Sequence, residues 1–346
     1  MKNIKFECFK KKSLVTLCRF YFTNIFIKNI LNRKLFQVFL RATFDCYLDE
    51  KVFKIPILKL KRIPSLKMEK FKENLIIFKG DDTLEIWNIQ TEKCITKINK
   101  MPYDDITSFT KLNNNEVIIG SFYGKIHIWN VTIKNENINW NNCKGNWKTF
   151  YGHTSAVTCL IRLSNTKFAS AGYGLEGKII VLDKTVSSLI TLKHYGFIHC
   201  LLKLNENEIV SGSIDKTIKL WNIKLRVCLK TVLIDYRIKA ILKLNEEQIA
   251  CSFRKNNSIK IFDLLIGKPI KTFSMYKGKV KCLIKLNLKQ MLSAEDFTVK
   301  IWDFINGNCL KTLLFDKYCS ICWILKLNEK QCMSNNKDLT IKIWNV

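Results

Sequence analysis

Three side chains in one short stretch of the sequence have the types that hydrolases use for nucleophilic catalysis. They are His194, Ser211 and Asp215. A serine hydroxyl becomes a nucleophile when a histidine accepts its proton and a carboxylate orients the imidazole. The sequence contains no phosphate-binding loop, HExxH motif or nucleophile elbow that would indicate another reaction. The elements that hold these three side chains must therefore decide between a catalytic site and a packing network.

The cysteines are the second set of residues that could do chemistry. Cys319 and Cys322 have the CxxC spacing of zinc and redox motifs, but no second cysteine or histidine pair accompanies them. Seven cysteines instead recur at two positions of an internal repeat: Cys159, Cys200, Cys282 and Cys322, and Cys94, Cys228 and Cys309. Such a register predicts small buried apolar side chains in a reducing compartment. We expect no metal and no cofactor.

The repeat has a period of about 40 residues, which is typical of propeller blades. A short apolar segment that ends in a large apolar residue followed by Asn or Asp occurs seven times. The seven large residues are Trp87, Trp129, Leu182, Trp221, Phe262, Trp302 and Trp344, with spacings of 42, 53, 39, 41, 40 and 42 residues.

Each period contains four short segments with the features of β-strands. In the fourth period they are Ile198 to Leu204, Glu208 to Ser213, Thr217 to Trp221 and Val227 to Val232, separated by turn-forming residues. A four-stranded sheet cannot bury both faces alone, so sheets of this kind stack around an axis. The pattern predicts an all-β, seven-bladed propeller.

The chain resembles the WD-repeat family over residues of about 51 to 346, most clearly in the segment LKHYGFIHCLLKLNENEIVSGSIDKTIKLWN. The resemblance implies a seven-bladed WD40 β-propeller with a buried hydrogen-bonded network in each blade. Its members here are His194, Ser211 or Ser213, Asp215 and Trp221. If this network is buried and satisfied, no activated nucleophile remains. We therefore expect a structural network and a protein that is not an enzyme.

The ring needs a strand from outside the seventh repeat, because the chain ends at Val346 just after that repeat's third strand. An uncovered edge invites aggregation. Residues 51 to 57 (KVFKIPI) have the pattern of a fourth strand and are expected to close the ring. Residues 51–346 are therefore the predicted propeller.

Residues 1–50 form a basic, apolar N-terminal extension. Eight Lys and Arg residues and no acidic residue lie between Glu7 and Asp45. Charges interrupt every window long enough for a transmembrane helix, so no membrane span is expected. A helical appendage, an organellar targeting segment and a poorly ordered tail remain alternatives.

The formal charge of +29 favours contact with acidic partners. Only 8 of the 58 basic residues are Arg, and this Lys bias, with abundant Asn and Ile, is typical of an AT-rich genome. Arg would be favoured where bases or phosphates are bound in bidentate fashion. RNA is therefore the second choice of partner, after acidic protein segments or peptides.

Loops between blades and the turns between second and third strands share one end of a propeller, which we call the top face. The candidate binding residues on it are Tyr103, Tyr195, Phe197, Tyr236, Arg237, Lys277, Lys279 and Tyr318. Aromatic side chains beside basic ones are typical of binding hot spots and also suit single-stranded RNA.

The predicted function is a protein-protein interaction scaffold, a monomeric propeller within a multiprotein complex. The alternatives are the substrate-recognition subunit of a ubiquitin ligase and an RNA-associated propeller in ribonucleoprotein assembly. The expected compartment is the cytoplasm, with the nucleus as the alternative.

Overall fold

The computed structural model describes residues 51–54, 67–80, 83–98, 104–131, 148–174, 177–186, 189–254, 257–274, 278–315, 320–336 and 340–346. The extension 1–50 and three candidate binding residues, Tyr103, Lys277 and Tyr318, lie outside these ranges and stay predictions. Within these ranges no helix is long and apolar enough to cross a membrane.

The described residues form 28 β-strands in seven four-stranded antiparallel sheets. The first three blades are β2 to β5 (Met68–Lys70, Leu75–Lys79, Leu84–Asn88, Lys93–Ile98), β6 to β9 (Ile106–Lys111, Glu116–Ser121, Ile126–Asn130, Lys148–Phe150) and β10 to β13 (Val157–Arg162, Lys167–Gly172, Lys178–Asp183, Leu189–Lys193). The next three are β14 to β17 (Ile198–Lys203, Glu208–Ser213, Thr217–Asn222, Val227–Leu233), β18 to β21 (Ile238–Lys243, Gln248–Phe253, Ser258–Asp263, Lys268–Ser274) and β22 to β25 (Cys282–Lys285, Gln290–Ala294, Thr298–Asp303, Cys309–Leu314). The seventh contains β26 to β28 (Ile321–Lys326, Gln331–Asn336, Thr340–Asn345) and β1 (Lys51–Lys54).

The blades form a closed ring. The first strands of successive blades contact each other from β2 through β26, and β26 contacts β2 again. The last blade is completed by β1, which pairs antiparallel with β28 so that Val52 lies opposite Lys342 and Phe53 opposite Ile341. The predicted fold class, a seven-bladed propeller closed by an N-terminal strand, is confirmed.

The core lies between neighbouring blades, where the large apolar residue of each repeat packs on the preceding blade. Trp221 of the fourth blade packs against Ala169 and Val181 of the third. Phe262 of the fifth blade packs against Val210 and Ile218 of the fourth. An aliphatic or phenyl side chain fills the same space as the indole, so repeats that lack Trp keep the blade stacking.

Lysine side chains join neighbouring blades at the end of the ring opposite the top face. The last lysine of a first strand donates to a backbone carbonyl just after the first strand of the preceding blade. The six pairs among the described residues are Lys70 with Leu327, Lys111 with Phe71, Lys203 with Leu163, Lys243 with Leu204, Lys285 with Leu244 and Lys326 with Leu286. We call these the blade-linking lysines. In the third blade Arg162 takes this position and bonds Asn165 of its own turn instead.

The predicted burial of the repeated cysteines holds only in part: Cys282 is buried, and Cys94, Cys159, Cys200 and Cys322 are partly buried. Burial raises the pKa of the Cys159 thiol to about 11 and that of Cys282 to about 12. Cys228 and Cys309, however, are exposed. They lie on β17 and β25, the outermost strands of their blades, where one face of the sheet has no neighbour to cover it.

Candidate functional site

The residues with hydrolase-like chemistry are held inside the fourth blade. The imidazole Nδ1 of His194 is 2.7 Å from the Asp215 carboxylate, and the Trp221 indole donates to the Ser211 hydroxyl over 2.8 Å. The other Asp215 oxygen accepts from the backbone NH and hydroxyl of Thr217, which fixes the turn before β16. These contacts hold the third strand against the second.

The structure does not join His194, Ser211, Asp215 and Trp221 into the one continuous network that the resemblance implied. The four side chains form two pairs, and the buried Nε2 of His194 has no hydrogen-bond partner among the described residues. Ser211 is fully buried and its oxygen already accepts from Trp221. Burial lowers the pKa of His194 although Asp215 opposes that shift, so the ring is neutral near pH 7. A substrate has no access to this serine, and the set holds the blade together.

The strand directions define the top face of the described propeller. First and third strands start at this end and second and fourth strands finish there, because each sheet is antiparallel. Backbone hydrogen bonds join the two kinds of loop: Phe122 donates to Asp105, Ile214 to Phe197 and Arg254 to Arg237, each over 2.9 Å. In these three blades the inter-blade loop is therefore held against the turn between the second and third strands.

The exposed aromatic side chains of the described residues all lie on this face. They are Phe122, Tyr123, Tyr151, Tyr173, Tyr195, Tyr236 and Phe297. The exposed large aliphatic residues lie elsewhere for the most part, on outer strands and on turns of the opposite end, as Leu225, Leu265 and Leu288 do. The two ends of the ring thus differ in the type of large apolar side chain that they expose, chiefly aromatic on the top face and aliphatic on the opposite end.

The predicted binding residues that the structure describes are on the top face. Tyr195 is 83% exposed, Tyr236 is 38% exposed, and Arg237 and Lys279 are exposed. Phe197 is partly buried, with its ring centroid 5.0 Å from that of Tyr173.

Lys219 connects the internal network to this surface. Its side chain is buried, and its ammonium lies 5.1 Å from the ring centroid of Tyr195 and 5.4 Å from that of Trp221. A cation between two aromatic faces is attracted to both. The orientation of the exposed Tyr195 is thus tied to the strand that the network holds.

Several top-face residues were not found from the sequence. Tyr173, Phe122 and Phe297 lie on turns between second and third strands, and these turns share the end of the ring with the inter-blade loops. That topological fact could have identified them. Lys239 and Arg254 are also exposed there, but only the structure brings them beside Arg237.

No metal centre is evident in the part of the chain that the structure describes. Clusters of three or more His, Cys, Asp or Glu side chains in positions to hold a metal ion are absent from these residues. Cys319 lies outside them, and Cys322 directs its thiol toward the Ser320 carbonyl oxygen over 3.9 Å.

Comparisons with known proteins agree with this architecture. The family described as "WD domain, G-beta repeat" matches residues 186–222. The ribosome biogenesis protein YTM1 of Vanderwaltozyma polyspora is 22% identical over 69% of this chain and 54% of its own length. Autophagy-related protein 16 of Arabidopsis thaliana is 25% identical over 42% of this chain and 29% of its own length. The chain thus spans about half the length, or less, of these relatives.

A solved structure shows the same fold. A chain in the crystal structure of a mitotic checkpoint complex superposes with a TM-score of 0.69 at 16% identity, covering 86% of this chain and 91% of the other. At this identity the likeness concerns the fold alone.

Proposed function

We propose that this seven-bladed propeller is a WD-repeat protein that serves as an interaction scaffold, and that its top face binds a protein partner within a multiprotein complex. The observation that carries this proposal is the separation of exposed side chains. Aromatic residues lie on the top face and aliphatic ones mostly elsewhere. Tyr and other large aromatic residues are enriched at the centres of protein interfaces.

The chemistry of the face supports an acidic partner segment. Arg237, which follows Tyr236 in the chain, and Lys279 are exposed on the same face as the aromatic side chains, within a chain of net charge +29. Positive potential of this kind steers acidic segments to the surface, while the aromatic rings supply contact area. A single propeller offers this surface without a second copy, so we propose a monomer within its complex.

The free thiols of the protein favour a reducing cellular compartment. Nine cysteines among the described residues are free, and several are buried with raised pKa values. Free buried thiols are typical of a reducing compartment, so we propose the cytoplasm or the nucleus.

An RNA-associated role is the second candidate. The high charge supports it, and YTM1 is by its printed name a ribosome biogenesis protein. Stacked aromatic and basic residues also bind single strands. The dominance of Lys over Arg weighs against base-specific recognition.

The test is affinity purification from cells with quantitative mass spectrometry and nuclease treatment in one arm. The top-face variant carries Tyr195→Ala and Tyr236→Ala. The matched control carries Leu225→Ala and Leu265→Ala, which remove exposed side chains from turns at the opposite end. We expect the top-face variant to lose its partners and the control to keep them, with or without nuclease. Equal recovery with both variants would refute the top face as the site, and loss of all partners on nuclease treatment would favour RNA.

A further inference from the structure

The side chain at one position near the start of the first strand makes different contacts in the fourth and fifth blades than in their neighbours. Most first strands carry an extra residue here, where the pairing register with the second strand shifts. These extra residues are Thr107, Thr158, His199, Lys239 and Cys322, and in the sixth blade Lys281 takes the matching place just before β22. Because the residue at this position is not paired in the ladder, its side chain is available for other contacts.

Three of these side chains are bonded to the next blade. Thr107 donates to the Val157 carbonyl over 2.6 Å, Thr158 to that of Ile198 over 3.0 Å, and Lys281 to that of Ile321 over 2.6 Å. The side chains of His199 and Lys239 form no hydrogen bond or ion pair with any described residue. The fourth and fifth blades thus leave these two polar side chains without a hydrogen bond, whereas the second, third and sixth blades use theirs to join the ring.

Two arginines stand beside these free groups. The backbone NH of Arg254 donates to the carbonyl of Arg237 over 2.9 Å, so the two residues adjoin at the top end of the fifth blade. Lys239 lies two residues beyond Arg237 on β18. All three are exposed, and none forms an ion pair among the described residues.

The nearby carboxylates are already paired with other lysines. Asp235 lies 3.1 Å from the Lys260 ammonium, and Asp296 lies 2.7 Å from that of Lys281. Arg237, Lys239 and Arg254 therefore keep three positive charges with no described acid to balance them.

These groups are close enough to influence one another's ionisation. Burial, together with the charges of Arg254, Lys239 and Arg237, lowers the pKa of His199 to about 4. Desolvation of the Lys239 ammonium by the surrounding protein likewise lowers its pKa, and the charges of Arg254 and Lys281 act in the same direction. The imidazole is therefore neutral near pH 7 and can donate or accept a hydrogen bond beside three cations.

An aromatic wall borders the cluster on the side of the third blade. The ring centroid of Tyr173 lies 5.0 Å from that of Phe197 and 6.0 Å from that of His199, and Tyr173 is 41% exposed. The region thus combines converging cations with an apolar surface on which a side chain next to the charged group could pack.

We propose that Arg237, Lys239, Arg254 and His199 form a binding site for a phosphorylated side chain of a protein partner. This inference rests on the proposed protein-binding role of the top face. A phosphate monoester carries a charge of about −1.5 to −2 and three strong acceptor oxygens, which suit two guanidinium groups and an ammonium. A carboxylate, with one charge, leaves more of the cluster unbalanced. A single strand of RNA spreads its charges along a path, whereas these cations meet at one place.

The test uses the full chain and a degenerate peptide library with a fixed phosphoserine or phosphothreonine, read by fluorescence anisotropy. The same library without phosphate is the reference, and oligouridylate is a third probe. The site variant is Arg237→Ala, Lys239→Ala and Arg254→Ala. The control variant, Lys224→Ala, Lys268→Ala and Lys311→Ala, removes the same charge from exposed positions on the outer strands and the opposite end.

We expect the wild type to bind the phosphorylated library at least about tenfold more tightly than the reference, as charge-assisted hydrogen bonds to phosphate imply. The site variant should lose this preference, and the control variant should keep it. Equal binding of both libraries by the wild type, equal loss in both variants, or tighter binding of oligouridylate through the same three residues overturns the inference.

A second arm separates this inference from the proposed function. Cell lysates are treated with phosphatase before purification on the wild type and on the variant with Tyr195→Ala and Tyr236→Ala. Partners that survive phosphatase but are lost from the aromatic variant leave the scaffold role intact and refute the phosphate site. Partners that are lost in both cases support both.

Discussion

The ammonium group of Lys243 lies 2.5 Å from the backbone carbonyl oxygen of Leu204, although the two residues belong to neighbouring blades. The same contact recurs in six of the seven blades among the described residues. These blade-linking lysines satisfy carbonyl groups that neither blade's own ladder uses. Their charge is therefore part of the ring's construction and not free surface charge.

Replacing Lys243 by Met keeps most of the apolar stem and removes the ammonium. The Leu204 carbonyl then loses its charged donor, so we expect the free energy of unfolding to fall by about 1 to 3 kcal/mol. Denaturant titration measures the change. Lys224→Met, at an exposed position without such a partner, is the control, and an equal effect of the two substitutions would show that the contact contributes nothing.

The sequence shows the lysine donors of these contacts but not their carbonyl acceptors. Lys203, Lys243 and Lys285 recur in the same register, which is visible in the sequence, but a Lys-rich composition gives no reason to assign them a role. Their acceptors lie about 40 residues upstream in another blade. Only the closed ring brings donor and acceptor together.

Ring closure should depend on β1. Deleting residues 1–44 is expected to leave a soluble, cooperative fold, whereas deleting residues 1–60 uncovers the edge of β28 and should cause aggregation. Light scattering and thermal unfolding of both truncations provide the measurement. Equal solubility of the two proteins would contradict the pairing of β1 with β28.

The His194 and Asp215 contact should act on stability and not on catalysis. Asp215→Ala removes the acceptor of both His194 and the Thr217 turn, so we expect a loss of about 1 to 3 kcal/mol. Trp221→Ala removes a large core side chain and should cost about 3 to 5 kcal/mol. Unchanged stability of Asp215→Ala together with loss of a hydrolytic activity would reverse this interpretation.

The partly buried His153 should make the fold sensitive to mild acid. Burial lowers the pKa of His153 to about 4, against about 6.5 for an unfolded chain. Between these values the folded protein binds fewer protons than the unfolded chain, so stability is complete above about pH 6.5 and falls as the pH drops toward 4. His153→Asn should flatten this dependence in a pH series of denaturant titrations. The same slope in wild type and variant would exclude a contribution from His153.

The fold and the site differ in how much the sequence reveals. Seven recurrences at one period define the blades, and the turn residues place the strands of the fourth blade within one or two residues of their observed ends. Tyr195 and Tyr236 are visible as loop aromatics. The cluster of Arg237, Lys239 and Arg254 is not, because Lys239 is an unpaired residue inside a strand and Arg254 lies on a separate turn.

The central claim, that the top face is a specific protein-binding site, is tested most directly with the purified partner at two salt concentrations. Tyr195→Ala and Tyr236→Ala are each expected to weaken binding by about 1 to 3 kcal/mol, with a similar loss at low and at high salt. Leu225→Ala, exposed at the opposite end, should leave the affinity unchanged. An equal loss in Leu225→Ala, or losses that vanish at high salt, would contradict the claim and leave the net charge as the source of binding.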